Sequence, residues 1–110
     1  MITAEQAHDA VRDVLESAFN SFPPARKPDH EGRLFVARVI ESKKPLTPQL
    51  IFAFPLEAQA VLYEALFELL MQLRAEAKQG VTYPELSAAD LAPNTLGSAL
   101  VSRLKIRWPD

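Results

Sequence analysis

Two histidines, His8 and His30, and fourteen Asp and Glu side chains are the groups best suited to proton transfer or hard-metal binding, since the chain has no cysteine. Neither histidine has a second at i+3 or i+4, the spacing that sets two imidazoles on one helical face. A metal site would therefore have to gather carboxylates from afar. Asp29, His30 and Glu31 place an imidazole between two carboxylates. A base and its orienting group are brought together by the fold rather than by adjacency, so the triplet reads as a solvated loop. No serine sits in the Gly-x-Ser-x-Gly spacing of a nucleophile elbow. Gly32, Gly80 and Gly97 stand alone, so neither a phosphate loop nor a dinucleotide fingerprint can be assembled. These residues assign no catalytic side chain, no cofactor and no metal, and a non-enzymatic protein is expected.

What remains is surface. On a helix beginning near residue 4, Glu5, Asp9, Asp13 and Glu16 fall within about 80° of the wheel and form an acidic ridge. Like charges at helical spacing cost only about 0.2–0.5 kcal/mol per pair, so the ridge is tolerated without a function. It is nonetheless the face expected to meet a basic protein surface. At the other end Arg103, Lys105 and Arg107 alternate with Leu104, Ile106 and Trp108, as a strand would. Three cations fall short of the six or more phosphate contacts of useful affinity. With a net charge of −2 and a pI of about 5.7, the sequence argues against a surface built wholly for nucleic acid. The tail is expected instead to be structural, with Trp108 at least half buried.

The elements that must position these groups are read from apolar spacing and caps. Thr3 and Gln6 make a capping box, and Ala7, Val11, Val14, Leu15, Ala18 and Phe22 recur at helical spacing until Pro23 and Pro24 stop the pattern. This predicts a first helix over residues 4–21, followed by an extended connector over residues 23–29. Residues 33–41 are rich in β-branched side chains and fit helix or buried strand. Leu46, Thr47 and Pro48 resemble a staple, an N-cap and a first-turn proline, opening a short helix or strand that reaches Phe54. Residues 55–79 lack internal glycine and proline and are closed by Gly80, predicting a long helix that crosses the whole domain. Residues 82–93 are turn-rich with Ser87 as a cap, and Asn94 can cap a final helix.

The long helix carries two adjoining apolar stripes. Ala58, Leu62, Ala65, Leu66, Leu69 and Leu73 make one, and Ala60, Tyr63, Phe67, Leu70 and Met71 the other. An ordinary surface helix needs one such stripe, a little over 100° wide. The second is expected to lie at a homodimer interface centred on Tyr63, Phe67 and Met71, unless residues 33–54 wrap it within the chain. Acidic and basic residues also fall in alternating blocks along the chain, which suits acidic helices packed against basic segments.

The 110 residues form one domain, 1–110, with 48% hydrophobic content typical of a folded core. The expected class is mainly α: a small helical bundle with one long central helix, about 55–79. The alternative is an α+β domain with an antiparallel sheet from residues 33–41, 50–54 and 104–108. Residues 1–6 lack a basic region followed by an apolar one, and no stretch approaches a membrane span, so a soluble cytoplasmic chain is expected. The function expected is occupancy of an unidentified protein partner, as adaptor, inhibitor, or immunity- or antitoxin-like binder. A nucleic-acid accessory role for the basic tail and a carboxylate-based enzyme are the alternatives.

Overall fold

The computed structural model describes residues 1–20, 22–42 and 44–91. Four helices are set by their own local signals: α1 (Ala4–Phe19), α2 (His30–Glu41), α3 (Pro48–Phe52) and α4 (Leu56–Lys78). Thr3 Oγ1 accepts from the Gln6 amide while the Gln6 side chain accepts from the Thr3 amide, closing the capping box that starts α1. Asn20 ends α1 in the left-handed region, which asparagine tolerates. The helix therefore stops before the prolines, and Phe22, expected on its apolar stripe, lies beyond it at 73% exposure.

The Asp29 carboxylate accepts from the Gly32 amide and makes α2 begin at His30, so Asp29, His30 and Glu31 form a helix N-terminus rather than a loop. Residues 33–41 are helical, and Thr47 caps α3 with Pro48 in its first turn. Pro55 precedes α4 as its start, not a kink. Gly80, at φ +72°, ends it: the Gly80 amide donates to the Ala77 carbonyl and the Val81 amide to that of Glu76. This pair of bonds is the Schellman arrangement, which needs a left-handed residue at Gly80.

The alternative sheet is not what forms, because residues 33–41 and 48–52 are helical and residues 104–108 lie outside the described residues. A different, two-stranded antiparallel sheet exists. β1 (Ile2–Thr3) pairs with β2 (Thr82–Tyr83), matching Ile2 with Tyr83. Together with the bond from the Ala4 amide to the Val81 carbonyl, it ties the start of α1 to the end of α4. A short 3-10 turn, Ala88–Leu91, follows Ser87. The expected final helix and the burial of Trp108 also fall outside the described residues.

At 1.5 Å per residue α4 is about 34 Å long, against a longest molecular dimension of 36 Å, so it spans the molecule. α1 and α2 both pack on it. Ala58, Leu62, Ala65, Leu66, Leu69 and Leu73 are all buried, with Val61 beside them. They meet Val11, Val14, Leu15 and Ala18 of α1 and Val36 and Ile40 of α2 in one core. α2 reaches α4 closely only because residue 32 is glycine: a Cβ there would lie 2.9 Å from the Glu57 carbonyl carbon and oxygen.

Candidate protein-binding faces

α1 and α4 run antiparallel along one seam. Near one end the Phe19 and Tyr63 rings meet edge to face at 5.3 Å, and near the other Glu5 and His8 adjoin Ala77 and Lys78. The second apolar stripe of α4 lies along this seam and is only partly covered. Ala60 and Leu70 are buried, Tyr63 is half-buried, and Phe67 and Met71 remain 44% and 37% exposed. The Tyr63 and Phe67 rings stack 6.0 Å apart, as side chains one helical turn apart can. Tyr63, Phe67 and Leu70 line a groove of about 210 Å³ with Arg12, Leu15 and Glu16 of α1 and with Arg74.

A shallower polar depression of about 420 Å³ continues the seam toward the β1·β2 bridge, lined by Glu5, His8, Asp9, Arg12, Arg74, Ala77 and Lys78. Arg12 and Arg74 belong to both, one from each wall. The structure thus brings the acidic ridge and the apolar stripe together: Glu16 borders the apolar groove, and Glu5 and Asp9 border the polar one. Asp13 lies on the outer face of α1, away from both.

The ridge is not uniformly free. Asp9 forms an ion pair with Arg12 at 3.6 Å and lies 3.1 Å from His8 Nδ1. Among the described residues, Glu5, Asp13 and Glu16 meet no cation, and Arg74 and Lys78 meet no carboxylate. His8 Nε2 is buried without a hydrogen-bond partner, and His8 lines the depression together with Ala77 of α4. Sequence spacing put His8 beside the apolar stripe of α1.

A second cleft of about 390 Å³ opens where α2 crosses the start of α4, between Asp29, Glu31, Gly32, Leu34, Phe35, Arg38, Pro55 and Glu57. Sequence reasoning missed it, because it depends on a close helix crossing that only Gly32 signals. Among the described residues no three His, Asp or Glu side chains converge as metal ligands, and no helix is long and apolar enough to cross a membrane. No family model, curated protein or solved structure matches this chain, so its faces have to be read from their own chemistry.

Proposed function

We propose that this chain is a non-enzymatic protein–protein interaction module, acting as an adaptor, inhibitor, or immunity- or antitoxin-like binder whose activity is occupancy of another protein's surface. One observation carries the reading: an acidic solvent face on α1 and an open apolar face on α4 meet along a single seam. Apolar side chains held in water by a rigid helix favour removal from it, at about 25 cal/mol per Å² covered. The neighbouring charges add orientation and speed of encounter more than affinity.

The ridge supplies the face for a basic partner surface. Because Asp9 is already engaged by Arg12, the side chains offered outward are chiefly Glu5, Asp13 and Glu16. The test begins with affinity isolation from the native cell and identification of a single stoichiometric partner. Binding is then measured for the Asp9→Lys, Asp13→Lys double variant across a salt series. Loss of at least tenfold at low salt, shrinking as salt rises, is expected where exposed charges steer association. Equal binding at every salt concentration would refute the ridge as the partner face.

A further inference from the structure

We propose that the open face of α4 is closed by a second copy of this chain, packed antiparallel about a two-fold axis level with Leu69. This rests on the interaction-module reading and names one occupant of its apolar face, leaving Glu5, Asp9 and Asp13 of the acidic ridge for other partners. At 100° per residue, Leu56, Phe67, Met71, Arg74 and Lys78 fall within an arc of about 60°. Leu56, Phe67 and Met71 are the exposed large apolar residues of α4, at 47%, 44% and 37%. An aromatic ring and a methionine are what the cores of protein interfaces are enriched in.

The charges along the same face are self-complementary. In an antiparallel two-fold pair each flank of the helix meets the same flank of its copy, running the other way. On the α1 flank, Glu16 lies level with Phe67, while Arg12 and Arg74 lie toward the far end of α4. The two-fold axis therefore carries Arg12 and Arg74 to the partner's Glu16. At the centre Phe67 faces the partner's Met71, since the two are equally spaced about Leu69. Among the described residues, Glu16 and Arg74 have no ion-pair partner within the chain. A parallel pair would instead set each of these charges level with its own kind.

Sedimentation equilibrium of the intact chain at micromolar concentration reads the association directly. The expected mass is twice the 12.2 kDa of one chain. A strict monomer overturns the proposal and leaves the partner binding of the ridge standing, since that is measured by the Asp9→Lys, Asp13→Lys series. Phe67→Asp is expected to give a monomer with an unchanged far-ultraviolet circular dichroism spectrum, because residue 67 is already half in water. The register is read by single cysteines in this cysteine-free chain. Residue 67 lies level with the partner's residue 71, whereas residue 78 is offset from its own copy by about 27 Å along the axis, against the 4.4–6.8 Å that a disulfide spans between Cα atoms. A mixture of Phe67→Cys and Met71→Cys chains is expected to oxidise to a mixed covalent dimer and Lys78→Cys is not. Equal cross-linking in both cases would overturn the antiparallel arrangement. Arg74→Glu is expected to weaken association about tenfold, and adding Glu16→Arg to restore it. Unchanged association of Arg74→Glu at low salt would overturn the charge pairing.

Discussion

At the scale of the single residue, Gly32 sets how closely α2 approaches α4. It sits inside α2 with ordinary helical geometry, so its backbone freedom is not what the position uses. The absence of a side chain is: a Cβ would fall 2.9 Å from the Glu57 carbonyl and 3.0 Å from the Ala58 amide nitrogen. All three atoms are backbone and cannot swing aside. Gly32→Ala exchanges a gain in helix propensity of up to about 1 kcal/mol for a displacement of α2 from α4. Overpacking of this kind typically costs about 1–3 kcal/mol. A net loss of about 1–2 kcal/mol is expected in urea denaturation, and a stabilised variant would show that the two helices can separate freely.

Gly80 is the contrasting case, since nothing crowds it and its positive φ is the constraint. Both glycines stand alone in the sequence, outside any glycine-rich spacing. Only Gly80 also declared its role there, as the stop of a long apolar pattern. Gly32 gave no such signal, because close approach between helices is a property of two segments and is not written in either.

Among the elements, α1 and α4 were legible nearly to the residue because each couples a strong apolar period to a chemical boundary. Thr3 and Gln6 fix the first, and Pro55 and Gly80 bracket the second. α2 was ambiguous since Val36, Val39 and Ile40 favour strands intrinsically and Gly32 weakens a helix. Packing of Val36 and Ile40 on α4 decided the matter, with Asp29 supplying the cap. The β1·β2 bridge was illegible: two residues are too few for a period, and their pairing spans most of the chain. The capping box bears testing on α1. Thr3→Ala removes the acceptor for the Gln6 amide and is expected to cost about 1 kcal/mol. Because Thr3 also belongs to β1, Thr3→Ser keeps the acceptor and should recover most of that loss; equal destabilisation by both would assign the cost to the strand.

At the scale of the whole molecule, the candidate faces follow from an imbalance between apolar surface and available cover. α4 has apolar residues on two adjoining stripes, and the first is buried completely between α1 and α2. The second was predicted either to meet a second chain or to be wrapped by residues 33–54. Within the chain it is partly covered by α1, through Phe19 on Tyr63 and Leu15 beside Phe67 and Leu70. The sequence therefore revealed the excess and its residues, while the partial cover by α1 depends on which way the helices run. Backbone amides in the middle of α4, around Leu62, Leu66 and Leu69, are expected to exchange hydrogen only through global unfolding. Those of the five-residue α3, with Phe52 exposed, should exchange through local opening. Equal protection of α3 and α4 would contradict a fold organised around one central helix.

The strand pairing that matches Ile2 and Thr3 with Tyr83 and Thr82 also imposes an order in time. Closing a loop of about 80 residues costs roughly 4 kcal/mol of chain entropy, so the bridge gains from contacts made before it. During synthesis α1 leaves the ribosome first, yet the surface that buries Val11, Leu15 and Ala18 is finished only when α4 follows, about 60 residues later. At 5–20 residues per second that interval is roughly 3–12 s. For those seconds the nascent α1 segment lacks the α4 side of its core, and only its acidic face is suited to water.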